Sequence, residues 1–214
     1  MRDPIAAPVT MTTDIELLNA WRAGDSAAGE RLFRRHFAAI ARFFRNKVTG
    51  DLEDLVQQTF LGCLEGRDRF RGDGSFRGYA FGVAHRVLGT YLRHKYRERG
   101  VVGLNEVSLD DLDPGPSLMF ARRREHQALL LALRQLPLAY QLVLELYFWE
   151  EMTAAAIAAA LEIPLGTAQT RLHRARHGLA HRYERVAAAI GASTASPDFE
   201  GWAREIRGDA AVRP

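Results

Sequence analysis

The chain has 214 residues, 47% hydrophobic and 26% charged, enough for one large domain or two small ones with modest cores. Its 29 basic and 26 acidic residues leave a formal net charge of +3, which excludes a disordered composition and a uniformly polycationic surface. Cys63 is the only cysteine, so an internal disulfide framework is excluded, and a buried small hydrophobe is its expected role.

Helical periodicity dominates from the start. Thr13 and Glu16 have capping-box spacing and open a short helix carrying Ile15, Leu18 and Trp21, which Gly24 ends. Asp25 or Ser26 begins a second helix with Phe33, Phe37, Ile40 and Phe44 at four-and-three spacing. Gly50 closes it. Asp51 opens a third helix, with Leu52, Val56, Thr59, Phe60 and Cys63 on one face. Glycines between Gly66 and Gly74 mark a loop, and Ser75 caps a fourth helix through Val83, Val87 and Tyr91.

Periodicity stops from Gly100 to Pro116, where glycines, prolines and the acids Glu106, Asp110, Asp111 and Asp113 read as an interdomain linker. Helices resume near Ser117 and run to about Leu136. Pro137 suits the first turn of the next helix, which carries Tyr140, Val143, Leu144 and Tyr147. Thr153 caps a helix to Leu161. After the turn Glu162-Ile163-Pro164-Leu165, a last periodic helix runs from about Gly166 to His181. No strand pair and no internal repeat stand out. The expected fold is all-α, two helical domains on a flexible tether. No run approaches the length of a membrane span, so the expectation is a cytoplasmic protein with no membrane segment.

The final helix pair has the length pattern of a helix-turn-helix. Ala168, Leu172, Ala175 and Leu179 form its buried stripe. Thr170, His173, Arg174 and His177 then face outward, with Arg171 and Arg176 on the flanks. Such a face suits duplex DNA: central polar side chains reach base edges, and flanking arginines hold phosphates. Arg174 is the best candidate for a bidentate contact to guanine. His173 and His177 have metal-ligand spacing, but no carboxylate or thiol stands at useful spacing, so no metal is expected.

The third helix leaves Asp54, Gln57, Gln58 and Leu61 opposite its core stripe. An exposed leucine among polar groups resembles a protein-binding face. On residue chemistry alone an ordinary solvated face is the stronger reading. In the fourth helix Phe76, Tyr79 and Phe81 cluster with Arg77 and Arg86, and Arg93, Lys95, Arg97 and Arg99 crowd the end. Aromatic rings beside cations are what single-stranded nucleic acid binding needs, although Phe76 and one further ring are expected in the core.

These stretches resemble a family. The runs AGDSAAGERLFRRH, DLEDLVQQTFLGCLEGRDRF and FRGYAFGVAHRVLGTYLR are similar to region 2 of extracytoplasmic-function (ECF) sigma factors in the sigma-70 family. The run LRQLPLAYQLVLELYFWEEMTAAAIAAALEIPLGTAQTRLHRAR resembles their region 4. Both matches occur in series and in the family's order.

The resemblance implies region 2 over 13–99 and region 4 over 117–186. A flexible N-terminus (1–12), an acidic linker (100–116) and a C-terminal extension (187–214) flank and join them. It implies binding to core RNA polymerase at its clamp and flap, with Asp54, Gln57, Gln58 and Leu61 on the clamp. Tyr79, Phe81, Arg86 and Arg93 would hold melted promoter DNA. Thr170, Arg171, His173, Arg174 and Arg176 would hold the upstream duplex element. An anti-sigma factor is a further partner that the resemblance leaves open.

The chain departs from the family pattern at Gln58 (often Glu), Arg86 (often Asn), Glu162 (a turn glycine) and Gln169 (a basic residue). In the extension, Phe199, Trp202, Ala203 and Ile206 have helical spacing and are expected to pack back on region 4. No nucleophile–base pair, metal cluster or phosphate-cradling loop has convincing spacing, so neither catalysis nor a cofactor is expected. The competing class is a stand-alone helix-turn-helix regulator, which would bind duplex DNA as a dimer without polymerase.

Overall fold

The computed structural model describes residues 12–48, 50–68, 70, 75–95, 124–195 and 197–211. The linker expected at 100–116, Arg97 and Arg99, the helix start near Ser117 and nearly all of the expected N-terminal segment lie outside these residues. The described residues form nine α-helices: α1 (Asp14–Arg22), α2 (Ser26–Arg45), α3 (Leu52–Gly66), α4 (Phe76–Lys95), α5 (Arg124–Arg134), α6 (Leu138–Phe148), α7 (Ala154–Leu161), α8 (Leu165–Ile190) and α9 (Phe199–Ala211).

Local chemistry sets the helix starts. Thr13 and Glu16 form a reciprocal capping box, with the Glu16 amide donating to the Thr13 hydroxyl at 3.2 Å and the Thr13 amide to the Glu16 carboxylate at 2.7 Å. The Asp25 carboxylate accepts from the Ala28 amide at 3.1 Å. Ser75 accepts from the Gly78 amide at 3.0 Å, and Thr153 from the Ala156 amide at 3.2 Å.

Glu162 closes α7 in the left-handed region (φ +55°), the conformation that the missing glycine would have taken more cheaply. α8 runs past the expected end at His181 to Ile190. Tyr183, Val186 and Ala187 continue its buried stripe, and no breaker occurs until Gly191 at φ +68°.

α1 to α4 enclose Leu17, Leu32, Phe44, Phe76 and Leu88. α5 to α8 enclose Leu129, Leu142, Leu179 and Tyr183. The two units do not sit apart: one apolar core runs through both. The join is α4 against α7. A Cβ at Gly82 would lie 3.2 Å from the Ala160 carbonyl oxygen, so Gly82 and the alanine run of α7 permit close backbone approach. α9 packs back on α6, as its spacing predicted, and also on α2, with Trp202 and Ala203 wholly buried and Phe199 and Ile206 half-buried.

The join also contains charge. Lys47 is buried, donates to the Phe43 carbonyl at 2.6 Å and pairs with buried Glu145 of α6. Glu150, 4% exposed, is held by Arg42 at 2.6 Å and by Arg77. Such charges tolerate burial only because each meets a hydrogen-bonded partner.

Candidate nucleic-acid interface

α3 turns its acidic-amide face outward. Its first turn carries Glu53 and Asp54, which suit the positive helix N-terminus, while Leu55, Val56, Thr59 and Cys63 are buried beneath. Asp54, Gln57, Gln58 and Leu61 are all exposed, Leu61 at 48%. Leu64 extends the apolar part of the face by one turn, a residue whose helical spacing from Gln57 and Leu61 was visible in the sequence. Phe37, expected in the core, lies 55% exposed and flat against Phe60 of α3, with ring centroids 6.2 Å apart. Apolar periodicity identifies a face but does not say whether the chain itself or another molecule covers it.

α4 divides its expected single-strand residues. Phe81 is 1% exposed and packs edge-on against Phe43 at 5.7 Å. A ring so buried cannot stack on a base while α4 stays folded on α2, so Phe81 joins Phe76 in the core and leaves the candidate set. Tyr79 is half-buried, stacked on Phe70 at 4.8 Å, with its hydroxyl 3.4 Å from the Gly62 carbonyl. Arg93 is exposed and donates to Thr90 at 3.0 Å. Arg86 is exposed but paired with Glu162 at the end of α7. Beside it burial pushes the His85 imidazole below its ordinary range, against the pull of Glu162 and with the push of Arg86 and Arg171.

Arg77, read in the sequence as a cation beside the α4 rings, is instead held by Glu150, and Arg42 and Lys47 escaped functional reading. The only sequence signal of those two was cations embedded among apolar residues, which does not name a partner.

α8 sets Ala168, Ala175 and Leu179 inward, leaving Thr170, His173, Arg174 and His177 exposed and Arg171 half-buried. Thr170, Arg171 and Arg174 line a groove of about 490 Å³ with Pro137, Tyr140 and Thr167. Arg176 is engaged differently from the expected phosphate contact. Its guanidinium lies over Tyr147 at 4.8 Å and Phe148 at 5.1 Å, a cation–π seat on α6. The rings of His173 and His177 lie 4.6 Å apart, and among the described residues no group of three or more His, Cys, Asp or Glu is placed to hold a metal. Among the same residues no helix is long and apolar enough to cross a membrane.

Comparison with known proteins agrees with this layout. Residues 31–98 match the family model of sigma-70 region 2, and residues 126–177 that of sigma-70, region 4. RNA polymerase sigma factor YlaC of Bacillus subtilis is 30% identical over 154 residues, covering 69% of this chain and 87% of YlaC. The ECF RNA polymerase sigma-E factor of Escherichia coli K12 is 25% identical over 181 residues, 80% of this chain and 95% of the relative. Among solved structures, CnrH in complex with the cytosolic domain of CnrY shares the fold, with a TM-score of 0.56 at 24% identity, covering 79% of this chain and 96% of CnrH. With region 2 and region 4 present in order, the chain belongs to the sigma-70 family of sigma factors, in its ECF subfamily.

Proposed function

We propose that this chain binds core RNA polymerase and directs it to a two-part promoter, which it recognises and helps to open. Asp54, Gln57, Gln58 and Leu61, extended by Leu64, form the surface for the polymerase clamp. Thr170, His173 and Arg174 read base edges of the upstream element in the major groove, and Arg171 holds a flanking phosphate. Tyr79, Arg86 and Arg93 hold the melted downstream element, where pocket capture of an unstacked base offsets the cost of flipping it. The polymerase, not this chain, makes the bonds.

The observation that carries this reading is the outer face of α3. Three polar side chains and two leucines stand exposed on a helix whose other side is fully used by the core. A stand-alone regulator could use such a face only to dimerise, an outcome that the test below separates.

Run-off transcription with purified core polymerase on a genomic fragment library is the test. New start sites that depend on the added chain are expected. Specific duplex binding as a dimer without polymerase, and no transcripts with it, would support the regulator instead.

A further inference from the structure

The turn between α6 and α7 is unusual in two ways. Glu151 adopts φ +53°, the left-handed region that a non-glycine residue rarely takes. Its neighbour Glu150 points into the N-terminal half, where Arg42 donates to it at 2.6 and 3.2 Å and Arg77 also donates. One short turn of region 4 is therefore plugged into α2 and α4.

α9 supports that turn from behind. Arg207 donates to the Phe148 carbonyl at 2.5 Å and pairs with Glu151 at 3.2 Å. Trp202 meets Trp149 edge-on, with centroids 5.5 Å apart at 70°, and Phe199 stacks on Phe148 at 5.5 Å. α9 also touches α2, and His126 of α5 pairs with its Glu205 at 2.7 Å. It lies outside both family matches, which end at 98 and 177.

We infer that α9 is a strap that holds the two halves of the chain closed, by fixing the Phe148–Met152 turn so that Glu150 stays seated between Arg42 and Arg77. While Glu150 is seated, α7 covers one side of α4. A carboxylate then occupies Arg77, and Glu162 occupies Arg86, cations that are otherwise free to meet nucleic-acid phosphates. Releasing α9 loosens the turn. Without Glu150, buried Arg42 recovers a full solvation shell only if the halves separate. The closure stands independently of the proposed function, but its consequence for promoter access rests on that reading.

The test is an interdomain distance in the full chain. Dyes on Ala38→Cys and Ala188→Cys, both exposed, report on α2 and α8. Cys63 is buried with its thiol pushed up to about 12, so it stays unlabelled. Arg207→Ala and Glu150→Gln are each expected to raise the open population on the order of tenfold, the scale of one lost charged hydrogen bond. The double variant should open no further than the larger single, because both act on one latch. Arg204→Ala, an exposed cation on the same helix, should leave the distance as in the wild type.

An unchanged distance in a folded Arg207→Ala protein overturns the inference, and so does full additivity in the double variant. If Arg207→Ala fails to fold, Arg207→Gln keeps a donor for the Phe148 carbonyl and drops the ion pair. Partial opening supports the strap, and no opening overturns it. Polymerase binding is measured separately: its loss in variants that open as expected counts against the proposed function and leaves the strap intact.

Discussion

The outer face of α3 and the inner face of α4 belong to one four-helix unit and meet opposite fates. On α3, Asp54, Gln57, Gln58 and Leu61 stand in solvent. On α4, Gly82 is pressed against the α7 backbone, and Arg77 and Arg86 each hold a carboxylate from region 4. The surface proposed for polymerase is ready in the closed chain; the surface proposed for promoter DNA is partly occupied. The contrast suggests an order of events. On that proposal, clamp docking needs no rearrangement, whereas promoter contact through α4 requires the halves to part.

The largest expected effect breaks the closed side of this contrast. Lys47→Met leaves Glu145 buried without its cation, which costs about 3–5 kcal/mol. Burial already pushes the Lys47 ammonium down and the Glu145 carboxyl up, so neither charge is comfortable alone. The double variant Lys47→Met/Glu145→Leu, apolar on both sides, should regain most of the loss. Chemical denaturation of the three proteins measures this. A single variant as stable as wild type would mean that the join is open in solution.

Next in size is the open side. Asp54→Lys reverses a charge on the α3 face and should weaken core polymerase binding by about 2–3 kcal/mol in a titrated pull-down. The distance between α2 and α8 should not change, because Asp54 takes no part in the join. Equal binding by the variant would remove Asp54 from the contact.

How much of this was legible follows from how far each determinant reaches along the chain. The starts at Thr13, Asp25, Ser75 and Thr153 are set within three residues, and each was visible. The stripe Ala168, Leu172, Ala175 and Leu179, of which Leu172 is only half-buried, and the outward Thr170, His173 and Arg174 follow from helical period alone. Trp202 and Ala203 were placed correctly on the same ground. The join was not legible. Glu145 lies 98 positions from Lys47, and Glu150 lies 108 from Arg42, so nothing local pairs them. Charged residues default to solvent in any sequence reading, and these four are inside. Phe81 shows the same limit from the apolar side: a ring beside arginines looked like a stacking platform, and only tertiary packing assigns it to Phe43.

A smaller effect separates readout from mere charge on α8. Arg174→Ala should cost about 1–2 kcal/mol on promoter duplex and much less on random sequence. The two are compared by titration at one fixed salt concentration, since phosphate contacts vary steeply with salt. An equal loss on both duplexes reassigns Arg174 to the backbone. Arg176, seated over Tyr147 and Phe148, should show the weaker sequence dependence of the two.

The smallest expected effect is a proton at the seam. His85 faces Glu162, Arg86 and Arg171, and burial is the main reason that its imidazole resists protonation below the ordinary 6.5. In the opened chain His85 meets water and takes its proton at the ordinary pH. Between the two values the open form binds more protons, so closure is fully present above the ordinary value and weakens as pH falls through the lower, closed-state one. His36 shifts the same way, by burial first, opposed by Asp14 and aided by Arg77 and Arg35. It lies inside the α1–α4 unit, however, so its proton bears on unfolding of that unit. The α2–α8 distance tells them apart: it should lengthen from about pH 7 to pH 5 in the wild type, and His85→Gln should flatten that change. Lengthening that persists in His85→Gln would move the proton to another group, and tighter closure on acidification would contradict the sign derived from burial.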